Sequence, residues 1–386
     1  MADGPENEDW IMQSDSQLNR TEESNGTSIA PYANNILKRA IATLDPGYFA
    51  WVMGSGIVSI GANLVGQVLI SRIIFAVAIF AYMTLFVAYT ARAIWFRSHF
   101  LQSLREPNIA MGYFTIVAGS NVLGFRFIMA GLPSVALVLA VFSVLVWIVL
   151  TYGLPSFIVA GARRPIFREI NGTWLIWVVA TQSIAIACGG LANYEKSALF
   201  QKTLPAIAIS FWGIGVMLYL ILIVMIFFRL LLVEVTAKEM GPAYWIAMGA
   251  TAITARAAAG ILALRGDFAS IIISDLKSFL IGFSVILWAF GSWWIPLLVL
   301  FGIWRYLVKK YPKDYEPRLW SVVFPVGMYT VASYSLGSVA HLDFMTAIGK
   351  DWLWVGVITW LAVMILMISA LTKAIWRHRT FGSHSQ

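Results

Sequence analysis

Ten long apolar stretches, separated by short polar or charged breaks, fill most of this chain. A helix rises about 1.5 Å per residue, so about 20 apolar residues are enough to cross the hydrocarbon core of a bilayer. The predicted spans are residues 47–66, 70–96, 109–131, 133–160, 172–193, 204–230, 242–265, 276–307, 319–340 and 351–376. The pattern predicts an all-α integral membrane protein with ten transmembrane helices in a domain that covers residues 41–378.

The five odd-numbered spans begin alike, with bulky residues followed about two turns later by small or hydroxylated ones. Their starts are Tyr48-Phe49, Tyr113-Phe114, Trp174-Leu175, Tyr244-Trp245 and Leu319-Trp320. We number repeat positions from the first residue of each start, so that position +7 holds Ser55, Ser120, Thr181, Thr251 and Val326. Repeated units of this length indicate an array of similar supersecondary structures. We expect five helical hairpins in a quasi-fivefold ring around a central pore.

Odd and even spans also differ in glycine content. The first span contains several glycines, whereas residues 70–96 of the second contain none and are rich in Ile, Phe, Ala and Val. Small residues allow helices to approach closely or leave room beside an axis, so we expect odd helices inside and even helices against lipid. The predicted pore-lining residues are Gly54, Ser55, Gly119, Ser120, Thr181, Gly249 and Thr251. The alternative is that the glycines mark tight packing and the hydroxyls bond their own backbone or a neighbouring helix.

One repeat position suggests a gate. Position +5 holds Met53, Ala118, Val179, Gly249 and Phe324, of which Phe324 is the largest. Pro325 follows it directly and lacks a backbone N–H, so we expect a kink there. If position +5 faces the axis, the Phe324 ring fills the pore. The alternative is an ordinary packed aromatic residue.

Composition agrees with a membrane protein. Hydrophobic residues make up 60% of the 386 residues and charged residues 12%, whereas soluble domains carry about 25% charged residues. Lys and Arg are concentrated in the loops on the side that holds both chain ends, which predicts cytoplasmic termini. Because these residues are spread without a long basic run, we expect no nucleic-acid partner. We place the protein in the plasma (inner) membrane.

The chain ends differ from the membrane domain. Residues 1–40 are polar and rich in Asp and Glu over their first thirty positions, which predicts a disordered acidic cytoplasmic tail. Residues 379–386 form a short C-terminal tail. Neither segment is large enough to be a folded output domain, so a sensor is the weaker alternative class.

Two arginines lie within or near odd spans, where a charge is costly and usually faces protein or a water-filled cavity. Arg126 and Arg256 stand at positions +13 and +12 of their repeats. A guanidinium keeps its proton and suits carboxylates and other oxyanions, so we predict that both attract anions. The alternatives are snorkelling to the interface or pairing with Glu195 or Asp267.

Other chemistry is sparse. The chain has one cysteine, Cys188, and four histidines near span ends or in the tail, so we predict no metal site and no cofactor. No Asp or Glu stands in the middle of an odd span, which favours passive movement of anions over a carboxylate-driven pump. A membrane-embedded enzyme is the alternative class, but the sequence shows no polar cluster for it.

Three segments resemble a known family. Residues 48–59 (YFAWVMGSGIVS) and 243–254 (AYWIAMGATAIT) are similar to the first and seventh helices of the tellurite-resistance/dicarboxylate transporter family. Residues 320–325 (WSVVFP) resemble the ninth-helix gating stretch of the plant slow anion channels in that superfamily. The resemblance covers about residues 45–376, but neither Arg126 nor Arg256 matches a motif shared with the family.

The resemblance implies ten helices in five hairpins, a pore through each protomer and a homotrimer. It implies transport of small anions or of C4-dicarboxylates such as malate, which in some members is coupled to protons. Resistance to tellurite is a further function that the resemblance implies. The resemblance also implies that Phe324 is the gate, with Pro325 beside it.

Overall fold

The computed structural model describes residues 36–161, 166–194, 197–265 and 267–382. The predicted tail up to residue 35, the predicted loop at Arg163-Arg164 between the fourth and fifth spans, Glu195 and residues 383–386 lie outside these ranges. Within them, every regular element is helical, as the apolar pattern predicts.

A long helix occupies each of the ten predicted segments. The helices are α1 (Ala50–Leu64), α2 (Val68–Trp95), α3 (Phe114–Met129), α4 (Pro133–Gly161), α5 (Leu175–Ala192), α6 (Ala198–Leu232), α7 (Ile246–Leu262), α8 (Asp267–Ile303), α9 (Trp320–Ala340) and α10 (Asp343–Gly382). Several even helices extend well past the predicted bounds, because a helix continues through polar turns where hydropathy has already fallen. The predicted range 351–376 for α10 is therefore too short at both ends.

Among the described residues, eight of these helices are long and apolar enough to cross a membrane, and α1 and α3 are the two others. With 15 and 16 residues, α1 and α3 contain small and polar residues where a lipid-facing helix would carry aliphatic ones. The chain is therefore an all-helical membrane protein with multiple spans.

A short 3₁₀ turn precedes every odd-numbered helix. These turns are Pro46–Phe49, Met111–Tyr113, Gly172–Trp174, Pro242–Trp245 and Pro317–Leu319. The five bulky starts found in the sequence coincide with the junctions from 3₁₀ turn to α-helix. Two turns are capped by side chains, since Asp45 Oδ1 accepts from the Gly47 amide at 2.7 Å and Asn171 Oδ1 from the Thr173 amide at 2.9 Å.

The remaining described elements are short. They are the helices Ile36–Ala42, Arg97–Arg105 and Pro107–Ala110, the 3₁₀ turn Ile166–Arg168 and the π-helical turn Trp304–Val308. The chain divides into two units. The smaller contains residues 86–106 and the described residues up to Leu44, and there Arg92 donates to the Leu44 carbonyl at 2.6 Å. The larger unit, residues 45–85 and 107–386, contains every site described below.

Burial separates odd from even helices. In the most apolar stretch of α5 and of α7, 83% of residues are buried, against 28% in α4 and 22% in α8. Most residues of α1 and α3 are buried as well. This division follows the glycine content that distinguishes the spans in the sequence. We refer to the odd helices as inner and the even helices as outer.

The inner helices contact one another in chain order. α1 packs against α3, α3 against α5, α5 against α7 and α7 against α9, and α9 also packs against α1. The five 3₁₀ turns contact one another in the same order, with Pro317–Leu319 against Pro46–Phe49. The ends at which the inner helices begin therefore lie close together.

Candidate functional site

A cavity with an empty volume of about 310 Å³ lies among the inner helices, and all five of them contribute to its wall. The lining residues are Ile57, Ile60, Asn121, Val122, Phe125, Ser183, Ile186, Ile253, Arg256, Met328 and Val331. All except Asn121 stand at repeat position +9 or +12. Equivalent repeat positions of all five inner helices therefore line one cavity. We call it the central cavity.

Helical register relates Phe324 to this cavity. Residues three or four apart share a face of a helix, and Phe324 precedes the cavity-lining Met328 by four residues. It therefore lies on the same face of α9, one turn nearer to the helix start. Phe324 is only 1% exposed, and Met53, Ala118 and Val179 at the same repeat position are also buried. The side chains at position +5 are therefore buried, about one turn nearer to the helix starts than the residues that line the central cavity.

The hydroxyls at position +7 face elsewhere. Residues two apart on a helix point about 200° apart, so position +7 points away from the face that position +5 shares with the cavity. Three of these hydroxyls meet the polar tip of an aromatic residue on an outer helix. The contacts are Trp360 Nε1 donating to Ser55 Oγ at 2.9 Å, Tyr82 OH with Ser120 Oγ at 3.1 Å, and Trp147 Nε1 donating to Thr181 Oγ1 at 2.9 Å.

Thr251, the fourth predicted pore-lining hydroxyl, also faces an outer helix. Its Oγ1 donates to the Met248 carbonyl at 2.7 Å and lies against Gly291 of α8, where a Cβ would clash with it. We therefore reassign Ser55, Ser120, Thr181 and Thr251 from the pore to the contacts between inner and outer helices.

The glycines predicted to line the pore lie between neighbouring inner helices instead. A Cβ on Gly54 would come 3.1 Å from Val323 of α9, and one on Gly119 would come 3.3 Å from Phe49. A Cβ on Gly249 would come 2.9 Å from Pro325 Cγ. These glycines allow close helix packing, which is the alternative that the sequence left open.

Arg256 brings a positive charge to the central cavity. It lies on α7 with its Cζ atom 4.9 Å from the centre of the Phe125 ring. No described residue forms a hydrogen bond or an ion pair with its guanidinium. Gly260, one turn later, leaves room for it, since a Cβ there would come 2.9 Å from Arg256 Nη1. A cation in a largely apolar space favours an anion or water as its partner.

The rest of the polar wall is neutral and internally bonded. The Asn121 amide donates to Ser183 Oγ at 2.9 Å, and its carbonyl accepts from Ser143 at 2.8 Å. Ser183 in turn donates to the Ala180 carbonyl at 2.6 Å. These hydrogen bonds fix the Asn121 side chain at the edge of the cavity. Among the described lining residues, the charge is therefore supplied by Arg256.

Arg126 does not line the central cavity. It is 4% exposed and lies beside α1 and α2, where its Nε donates to Ser59 Oγ at 3.0 Å and its Nη2 to Ser71 Oγ at 3.1 Å. Its Cζ atom also lies 4.6 Å from the centre of the Phe75 ring. Arg126 therefore ties three helices together. The predicted alternative was that either arginine pairs with Glu195 or Asp267. Both of those side chains lie outside the described part of the chain.

Arg229 and Arg305 are buried and fix the loops that precede inner helices. From the sequence they were used only to predict the topology. Arg229, near the end of α6, donates to Tyr244 OH at 2.8 Å and to Glu239 Oε1 at 3.2 Å. Arg305 bonds Glu316 and the Met240 carbonyl. Burial works to raise the pKa of Glu239, but hydrogen bonds from Thr236 and the charge of Arg229 outweigh it and hold the pKa below its usual 4.5.

Comparison with known proteins gives one family across most of the chain. A family model described as SLAC1, voltage-dependent anion channel, matches residues 43–368. An uncharacterized membrane protein of Mycobacterium tuberculosis is 44% identical over 149 residues, which are 39% of this chain and 74% of that protein. An uncharacterized transporter of Methanocaldococcus jannaschii is 26% identical over 89% of this chain and 97% of its own length. A sulfite efflux pump of Trichophyton rubrum is 22% identical over 88% of this chain and 94% of its own length.

Proposed function

Because the chain belongs to the SLAC1 family of voltage-dependent anion channels, which are transporters and not enzymes, we propose that it moves small anions across a membrane through a pore in each protomer. The observation that carries the proposal is Arg256. Its guanidinium lines a mostly apolar cavity built from all five inner helices, without an ionic partner among the described residues. A preorganised cation in such a place favours a passing anion.

The proposed path runs along a quasi-fivefold ring of inner helices. Two observations support this arrangement: the inner helices contact in chain order with α9 against α1, and equivalent repeat positions line the central cavity. In this proposal all ten long helices cross the membrane, including the shorter α1 and α3. Those two can be less apolar because outer helices separate them from lipid.

The proposed gate is the Phe324 ring. It has the largest side chain at position +5, it is buried, and it shares a helix face with the cavity-lining Met328. Pro325 packs against Gly249 of α7, so the contact between α7 and α9 sets the position of the ring. Movement between these two helices would shift the ring and open the path.

Passive movement is favoured over a carboxylate-driven cycle. Among the described residues no Asp or Glu side chain is buried, so the membrane domain offers no buried carboxylate there to relay protons. The second candidate is proton-coupled export of an oxyanion or a dicarboxylate. The observation that favours it is the similarity to a sulfite efflux pump over 94% of that protein's length.

The proposal is tested by flux through liposomes that contain only this protein. Chloride, nitrate, sulfite, malate and tellurite are compared as permeant anions, with and without a pH gradient. If the anion flux is the same with and without a pH gradient, the passive path is supported. If the flux requires the pH gradient, the coupled exporter is supported. Absence of flux for every anion, with the protein folded, would contradict the proposal.

We also propose a homotrimer in the plasma (inner) membrane, with both termini in the cytoplasm. The outer helices present exposed apolar side chains, among them Phe80, Leu145 and Ile365, that lipid or a neighbouring protomer would cover. Native mass spectrometry in mild detergent should show trimers, and cysteines placed in the Arg163-Arg164 loop should react only from the cytoplasmic side. Monomers alone, or labelling from outside intact cells, would contradict these two proposals.

A further inference from the structure

A second cavity lies where the inner helices begin. Its empty volume is about 390 Å³, and its wall includes Asp45, Asn108, Thr115, Thr173, Arg318 and Ser321. We call it the vestibule. In contrast to the central cavity, most of these side chains are polar.

The vestibule and the central cavity lie along one face of the inner helices. Thr115, Ile176 and Ser321 in the vestibule wall all stand at repeat position +2. Position +2 precedes position +5 by three residues and shares its face. The Phe324 level therefore lies between the two cavities, so the vestibule adjoins the opposite side of the proposed gate from Arg256.

Ser321 points to a ligand in the vestibule. It is 8% exposed, and its hydroxyl forms no hydrogen bond with a described residue. Other hydroxyls in the wall are occupied: Thr115 donates to the Gly112 carbonyl at 2.6 Å, and Thr173 bonds Asn171. A hydroxyl that lines a cavity and has no protein partner can donate to water or to a ligand there.

The charge in the vestibule comes from Arg318. Its side chain is exposed in the wall and forms no ion pair with a described residue. The first turns of the inner helices also begin at this end, and the N-terminal ends of helices attract anions. Asp45 is the one described carboxylate in the wall, and its charge opposes that of Arg318.

We propose that the vestibule is a second anion-binding subsite, in series with the central cavity and separated from it by the Phe324 ring. It takes one small, partly hydrated halide or oxyanion, with the Ser321 hydroxyl as donor and Arg318 as the attracting charge. This inference rests on the proposed function. Two weak sites in series suit conduction, since an anion must bind well enough to enter and weakly enough to leave.

The test measures the charge preference of the vestibule without measuring transport. In full-length protein with Cys188→Ser, the variant Ser321→Cys is treated with two thiol reagents, 2-sulfonatoethyl methanethiosulfonate (anionic) and 2-(trimethylammonium)ethyl methanethiosulfonate (cationic). The ratio of the anionic to the cationic reaction rate is compared with that of Ser338→Cys, an exposed position near the far end of the same helix. We expect the ratio at residue 321 to be severalfold higher, and more so at low ionic strength.

Further substitutions assign the preference to its cause. Arg318→Gln should lower the ratio severalfold towards that of the Ser338→Cys control, Arg318→Lys should retain it, and Asp45→Asn should raise it. If Ser321→Cys does not fold, Ile176→Cys at the same repeat position on α5 replaces it. A ratio equal to that of the control, or a ratio that Arg318→Gln does not change, would overturn the proposal of an anion subsite in the vestibule. Because the readout is a reaction rate, a wild-type protein that moves no anion would overturn the proposed function separately.

Discussion

At the residue scale, a shift of one repeat position separates the two arginines. Arg256 stands at position +12 and Arg126 at position +13, and one residue turns a side chain by about 100° around the helix axis. That rotation takes Arg256 into the central cavity and Arg126 against Ser59 and Ser71. The sequence shows two arginines at nearly the same depth but not that they face different surroundings.

Neutralising the two arginines should therefore have different effects. Arg256→Gln should lower anion flux per folded protein, most strongly at low ionic strength because screening is then weak, with little loss of thermal stability. Arg126→Gln should leave flux per folded protein nearly unchanged but cost about 1–3 kcal/mol of stability, because it breaks a buried hydrogen-bond network. Liposome flux and thermal unfolding in detergent measure both. Equal losses of flux would show that both arginines serve the pore.

The position +7 hydroxyls provide a second test at this scale. Ser55→Ala leaves the buried Trp360 N–H without its acceptor, so we expect a loss of about 1–3 kcal/mol in the free energy of unfolding. Flux per folded protein should stay the same, since this hydroxyl points to α10. Ser338→Ala, at an exposed position on α9, is the control that should change neither. A change in anion selectivity with unchanged stability would return Ser55 to the pore wall.

At the element scale, the sequence predicted where the inner helices begin but not how each is rotated. The bulky starts mark the 3₁₀ turns that open every inner helix, because this signal depends on residue type at one place. Which face lines the cavity depends on rotation, and the recurring Ser and Thr residues suggested the wrong side. Positions +9 and +12 carry residues as different as Ile60, Ser183 and Arg256, so no shared residue type identifies them.

Packing between α7 and α9 at the Phe324 level tests how the ring is held. Gly249→Ala places a methyl group 2.9 Å from Pro325 Cγ, and overpacking of this kind typically costs about 1–3 kcal/mol. We expect that loss of stability together with altered conductance, since Pro325 adjoins the ring. Gly213→Ala on outer helix α6, where no atom lies within 4 Å, should lose no stability. Equal stability of the two variants would exclude a tight contact at Gly249.

At the scale of the whole molecule, the apolar pattern predicted ten long helices, and burial follows their odd and even order. The ends of α8 and α10 could not be predicted from hydropathy, because those helices continue through polar turns. The order of contacts among inner helices is a long-range property, and in the sequence only the fivefold repeat anticipates it. The closing contact of α9 with α1 joins residues about 270 positions apart.

The central claim is that Phe324 closes an anion path that Arg256 makes attractive, and the conductance of Phe324→Ala in a planar bilayer tests it most directly. Phe49→Ala is the matched control, because Phe49 is equally buried but packs against Tyr82 and should lose about 3–5 kcal/mol as a packed aromatic. The account predicts that Phe324→Ala conducts anions more than wild type with a smaller loss of stability, and that adding Arg256→Gln reduces its anion selectivity. The account would be contradicted if Phe324→Ala conducted no more than the wild type and lost as much stability as Phe49→Ala.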